Sequence, residues 1–181
     1  MQNHPARRPA LLIIDMQVGL FEAAAPPFEG ERVLDTINGL IRNARAAGVA
    51  ILAARHTGPA GSPLAPGSPA TRLVGRLEVD AGRDFVFDKT RPNCFHGTAL
   101  GGELQRIGAN ELVVVGMKTE YCVDTTVRAA ADLGLSVVLI EDAHTTTAKQ
   151  ALSARQVIDH HNATLQPVFA KVLPAAAYRF A

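Results

Sequence analysis

The chain of 181 residues predicts an α/β fold: a single-domain, doubly wound (Rossmann-like), mainly parallel sheet of about six strands with helices on both faces, spanning residues 1–181. Three observations predict it. Short apolar runs rich in branched residues alternate with segments of helical periodicity along the whole length. Several of those runs are apolar at every position, the pattern of strands covered on both sides. No internal repeat and no linker breaks the alternation.

The elements follow in order. Residues 10–14 (ALLII) form a first buried strand, closed by Asp15. A core strand that ends in a carboxylate delivers that group to the sheet edge, although an aspartate that only caps the next turn has the same appearance. Met16 to Phe21 reads as a loop, and Pro26-Pro27 keeps the chain out of helix until Gly30. Over residues 31–47, Val33, Ile37, Leu40, Ile41 and Ala44 recur at helical spacing, with Gly48 as the stop. Residues 49–54 make a second buried strand that stops at Arg55-His56.

Residues 57–70 hold four prolines and three glycines, too many for regular structure. Such a stretch inside a compact domain reads either as a flap beside a site or as a surface excursion. Residues 84–89 (DFVFDK) alternate and read as a third strand ending in Lys89. A turn-rich stretch, residues 90–98, leads to a short helix over 99–107.

Residues 111–115 (ELVVV) are a fourth strand closed by Gly116, and residues 121–133 a helix with Val123, Val127, Ala130 and Ala131 on one face and Gly134 as its end. Thr119 reads as the N-cap with Glu120 just inside. Cys122 then falls in the first turn, where unpaired N–H groups and the dipole favour a thiolate. A free cysteine packed as a small hydrophobe is the competing reading. Residues 135–140 form a fifth strand, 147–161 a last helix, and 164–169 an edge strand, since Pro167 cannot donate to a ladder.

Composition excludes several functions. Nearly half the residues are apolar (48%), as in globular rather than disordered chains. Eighteen basic against seventeen acidic residues, spread evenly, leave no stripe for a phosphate backbone and no polybasic membrane patch. Nucleic acid and membrane are therefore excluded as partners. Residues 1–10 are followed by too short an apolar run to be a signal peptide or a membrane span, so a cytoplasmic protein is expected. Its two cysteines, Cys94 and Cys122, then read as thiols.

Three reactive side chains fall at the carboxyl ends of strands: Asp15, Lys89 and Cys122. In parallel sheets ligands bind beyond those ends. An acid, an ammonium and a thiol gathered there are equipped for nucleophilic acyl transfer: the carboxylate takes the thiol proton, the ammonium holds the charges, and the thiolate attacks a carbonyl.

The residues that carry this chemistry also carry a resemblance. Asp15-Met16-Gln17, KTRPNCFHGT at residues 89–98 and GMKTEYCVDTTVRAAADLG at residues 116–134 resemble the three signatures of the isochorismatase-like cysteine hydrolase family, which includes nicotinamidases. Order and spacing match along nearly the whole chain. The resemblance implies Cys122 as nucleophile, Asp15 as general base and Lys89 as third member of a catalytic triad. It also implies a cis peptide between Met117 and Lys118, an oxyanion hole made by the backbone N–H groups of Lys118 and Cys122, and a homo-oligomer, dimer or tetramer.

Departures from the family pattern narrow the chemistry. Nicotinamidases carry an Asp-x-His pair after the second strand that binds a metal; here the stretch is Ala54-Arg55-His56. A lone histidine is a poor metal site, so neither metal nor other cofactor is expected, and nicotinamidase activity is not. Isochorismatases, which split a vinyl ether, typically lack the cysteine. Cys122 therefore favours cleavage of a C–N bond in a small amide or ureide through a thioester.

Gln17, Phe21, His56, Phe95 and Tyr121 flank the triad as candidate substrate contacts. Core packing explains Phe21 and Phe95 equally well, and simple exposure explains His56. Cys94 reads as a structural thiol, and His160-His161 as a helix cap or interface contact. Two alternatives stand: vinyl-ether cleavage by Asp15 with Lys89, for which Cys122 is dispensable, and an idle small-molecule-binding or assembly module of the same fold.

Overall fold

The computed structural model describes residues 6–180; the expectation that no leader occupies residues 1–10 falls partly on residues 1–5, outside those described. Six strands, β1 (Pro9–Ile14), β2 (Ala50–His56), β3 (Phe85–Lys89), β4 (Glu111–Met117), β5 (Ser136–Thr145) and β6 (Lys171–Leu173), form one sheet in the order β3-β2-β1-β4-β5-β6. Every neighbouring pair is parallel. Five α-helices accompany it: α1 (Val18–Phe21), α2 (Gly30–Ala46), α3 (Leu100–Arg106), α4 (Asp124–Asp132) and α5 (Ala154–Leu165).

Alternation along the central strands sends successive side chains into two cores. Leu11, Ile13, Val113 and Val115 meet Val33, Leu34, Ile37 and Ile41 of α2, together with Tyr178 from the C-terminal segment. Leu12, Ile14, Leu112 and Val114 meet Leu100 and Leu104 of α3, Val127 and Ala130 of α4, and Leu165 of α5. Burial on both faces explains why these strands are apolar at every position, each buried aliphatic side chain contributing about 1.5–3 kcal/mol.

The strand order reverses between β1 and β4. Two chain halves wind outward from that line, one toward β3 and the other toward β6, and in such sheets ligands bind beyond the carboxyl ends of the strands at this switch point.

Several expected boundaries shift. The last helix starts at Ala154, not at 147, because Ser153 closes a capping box with Gln156. It continues to Leu165, so the edge strand is residues 171–173 rather than 164–169, with Pro167 in the connecting turn after a cis Gln166–Pro167 peptide. β5 runs on to Thr145. His160 and His161 lie within α5 rather than at its end, and His161 Nδ1 lies 3.1 Å from Asp124 Oδ1. Thr119 does not cap the central helix: residues Thr119–Val123 form a π-turn ahead of α4, and Thr119 Oγ1 is bonded at 2.9 Å to His144 Nδ1. Among the described residues no helix is long and apolar enough to cross a membrane.

Candidate active site

The ends of β1, β3 and β4 deliver the three side chains to one place. β4 approaches β1 closely through Gly116, which has φ +116° and where a Cβ would stand 2.1 Å from the Ile14 carbonyl oxygen. No other residue fits there. After Ile14 the chain turns at Asp15, whose φ of +53° lies in the left-handed region that aspartate tolerates better than most residues. Its N–H donates to the Ala54 carbonyl at 3.0 Å, holding the turn against β2.

Lys89 is the hub. Its side chain is buried (2% exposed) at the end of β3, and its Nζ donates to Asp15 Oδ2 at 2.8 Å, to Cys122 Sγ at 3.2 Å and to the Arg91 carbonyl at 3.2 Å. His56 Nδ1 stands 3.3 Å away from the same nitrogen. Asp15 is equally buried (1% exposed), and its second oxygen, Oδ1, has no hydrogen-bond partner among the described residues. A carboxylate oxygen of Asp15 and the Cys122 sulfur lie within 4.8 Å of each other, a short path for the thiol proton.

Burial sets the protonation states. It raises the Asp15 carboxyl above its ordinary range even though Lys89 pulls the other way. Burial, reinforced by the Asp15 charge, pushes the Cys122 thiol up to about 12. For Lys89, burial favours the neutral amine, but Asp15 and the neighbouring sulfurs outweigh it and the ammonium is kept. Burial and the Lys89 charge both lower His56, which is neutral at pH 7. The resting site therefore holds an ammonium, a thiol and a neutral imidazole, and the ion pair with Lys89 is what opposes the effect of burial on the Asp15 carboxylate. A thiolate stabilised by a helix end, as expected from position, is not the resting form.

The backbone around the thiol is distinctive. The Met117–Lys118 peptide is cis. The Lys118 carbonyl accepts from the N–H groups of Tyr121 and Val123, at 3.1 and 3.3 Å, passing over that of Cys122 between them.

The predicted substrate contacts divide. Gln17 is not free to touch a ligand: it is 0% exposed, its Oε1 accepts from the His56 N–H at 2.7 Å, and its Nε2 donates to the His56 and Thr71 carbonyls at 3.0 Å each. It clamps β2 and residue 71 instead. Phe21 (6% exposed) is core, packed with the α2 face. Phe95 is half-buried against the core beneath α3 and α4. Tyr121 is 51% exposed beside Cys122, with Lys149 Nζ 4.8 Å from its ring centroid. Lys118 reaches along the surface to Thr147 Oγ1. Cys94 is fully buried and its thiol is pushed up to about 12 by burial, as befits packing.

Two participants are absent from the expected set. The Arg91 carbonyl is one, brought back to Lys89 by the turn-rich stretch that follows β3. The other is the direct contact of His56 with Lys89, which no local pattern marks.

Asp15, His56 and Cys122 offer ligand atoms within 4.8 Å of one another, a spacing that suits a metal ion. The Lys89 ammonium stands among them, within 3.3 Å of each residue, and already supplies the positive charge. With Ala54 where a carboxylate would be needed, this donor set does not fit a metal.

Comparison with known proteins places these residues in context. The family model for the isochorismatase domain matches residues 9–176. A streptothricin hydrolase of Streptomyces noursei is 41% identical over 138 residues, covering 76% of this chain and 49% of that protein. Nicotinamidase 3 of Arabidopsis thaliana is 28% identical over 150 residues, covering 76% of this chain and 73% of that protein. The crystal structure of an isochorismatase from Pseudomonas putida superposes with a TM-score of 0.86 at 32% identity, covering 97% of this chain and 93% of that one. The chain spans about half the length of the streptothricin hydrolases that it matches.

Proposed function

The chain belongs to the isochorismatase family, and on that premise we propose that it is a metal-independent cysteine hydrolase that cleaves a C–N bond of a small amide or ureide through a thioester. The observation that carries this reading is the single Lys89 Nζ bonded at once to Asp15 Oδ2 and Cys122 Sγ. One ammonium holds base and nucleophile in register and stabilises whichever of them bears the negative charge.

The reaction runs in two halves. As a substrate carbonyl reaches Cys122, the thiol proton passes to Asp15, and the sulfur adds to the carbonyl carbon. The backbone N–H groups of Lys118 and Cys122 receive the oxyanion. Asp15, now protonated, gives its proton to the departing nitrogen, the C–N bond breaks, and amine or ammonia leaves with the acyl group on sulfur. Water then loses a proton to Asp15 and adds to the thioester. The C–S bond breaks, Asp15 returns the proton to sulfur, and the acid leaves. Net, one water converts one amide to acid and amine.

Iodoacetamide followed by peptide mass spectrometry tests the nucleophile: alkylation is expected on Cys122 before Cys94, whose sulfur is sealed in the core. Turnover measured over a panel of small amides and ureides is expected to fall about 10⁴-fold or more in Cys122→Ala. A variant that keeps its activity would transfer the chemistry to Asp15 and Lys89 alone. A dimer or tetramer is part of the same reading, checked by light scattering.

A further inference from the structure

His56, the last residue of β2, is held by more than its strand pairing. Its peptide is gripped on both sides by the fully buried Gln17, which accepts from its N–H at 2.7 Å and donates to its carbonyl at 3.0 Å. Its Nδ1 faces Lys89 Nζ at 3.3 Å. The three N–H groups of the ammonium already face Asp15, Cys122 and the Arg91 carbonyl, and a ring N–H aimed at that cation would be repelled, so Nδ1 presents its lone pair to Lys89 and the ring proton resides on Nε2. Across the ring, Nε2 makes no hydrogen bond among the described residues, and the side chain is only partly buried. One ring nitrogen of His56 lies within 4.8 Å of the Cys122 sulfur, so a carbonyl bound at that sulfur would lie beside the ring.

We infer that His56, fixed as its Nε2–H tautomer by the Lys89 ammonium and held by Gln17, is a specificity residue that donates a hydrogen bond to a second acceptor oxygen of the substrate, near the scissile carbonyl. The substrate class is thereby narrowed to amides or ureides that carry a further carbonyl or carboxylate oxygen a few bonds from the reacting carbon. An unbranched alkyl amide leaves that donor unanswered, and a buried donor without a partner costs affinity. This inference rests on the reading of Cys122 as nucleophile, because that reading fixes where the carbonyl lies.

The experiment uses the full chain labelled with ¹⁵N-histidine, in the Cys122→Ala form so that nothing turns over. At neutral pH the His56 signals, assigned by their loss in His56→Gln, are expected to show an unprotonated Nδ1 and a protonated Nε2. Succinamate, a primary amide with a carboxylate, is expected to move the Nε2–H signal in a saturable titration, whereas butyramide leaves it in place. Succinamate binding should weaken about tenfold or more in His56→Leu, while His56→Gln, which keeps an N–H near the same point, retains most of it. A protonated Nδ1 at neutral pH, or an Nε2–H signal that excess succinamate does not move, would overturn the inference. Alkylation of the wild-type thiol, run alongside, separates the two ideas: labelled Cys122 with an unresponsive His56 removes this inference alone, while an unreactive Cys122 removes the hydrolase reading.

Discussion

Asp15 sits where one residue ends a strand and, in the proposed mechanism, serves as the base. Its left-handed backbone turns the chain at the sheet edge, one carboxylate oxygen is spent on Lys89, and the other has no hydrogen-bond partner among the described residues. Because only the carboxylate can take a proton, and burial raises its titration, kcat/KM is expected to fall on the acid side with a midpoint above the ordinary aspartate value of about 4. Asp15→Asn keeps the shape but cannot accept the proton, and a loss of about 10³-fold or more in kcat is expected with KM little changed. A pH–rate profile and steady-state kinetics on the two proteins check both. That Asp15, Lys89 and Cys122 meet was legible in the sequence because a charged or thiol side chain at the end of an apolar strand has few other reasons to be there. Gln17 and Phe21 were not: what a glutamine binds or a phenylalanine packs on is decided by segments remote in the chain, here His56 and Thr71 for one and the α2 face for the other.

At the level of elements, the site depends on β4 coming close enough to β1 for the turn after Met117 to reach Asp15. Gly116 is the point of closest approach, and a register shift in the β4–β5 pairing occurs beside it, between Val114 and Gly116. Gly116→Ala would force a Cβ into the Ile14 carbonyl and impose an unfavourable φ. Urea unfolding is expected to show a loss of more than about 3 kcal/mol, in contrast to the fraction of a kcal/mol expected at an open, exposed site. Strands and helices with strong apolar periodicity were readable from sequence, as in β1, α2 and β4. Their ends were less so. The start of α5 is set by a capping box at Ser153 and Gln156, a polar signal hidden behind alanines that continue the helical pattern upstream. β5 outlasts its apolar run because His144 and Thr145 are satisfied by groups from elsewhere, Asn162 and Thr119 for the first and the Phe28 carbonyl for the second.

Across the whole molecule, His144 joins three parts that the chain visits separately: the turn that presents Cys122, the sheet, and α5. Its Nε2 donates to Asn162 Oδ1 at 2.8 Å and its Nδ1 accepts from the Thr119 hydroxyl at 2.9 Å, so the neutral ring satisfies both partners inside a fully buried site. Burial lowers its titration to about 4 from an ordinary 6.5. In the unfolded chain the imidazole gains its proton near 6.5, whereas in the folded protein it stays neutral until about 4. Between those values the unfolded state binds a proton that the folded state refuses, and stability falls as pH falls, by an amount on the order of 3 kcal/mol across the window. Above 6.5 the ring is neutral in both states and contributes no slope. Carboxylates that titrate in the same range add their own dependence, so the informative quantity is the stability of the wild type minus that of His144→Gln, measured by urea unfolding at several pH values. That difference is expected to be largest near neutral pH and to shrink steadily toward pH 4; curves that run parallel over the whole range would show that the buried ring does not couple the fold to acidity.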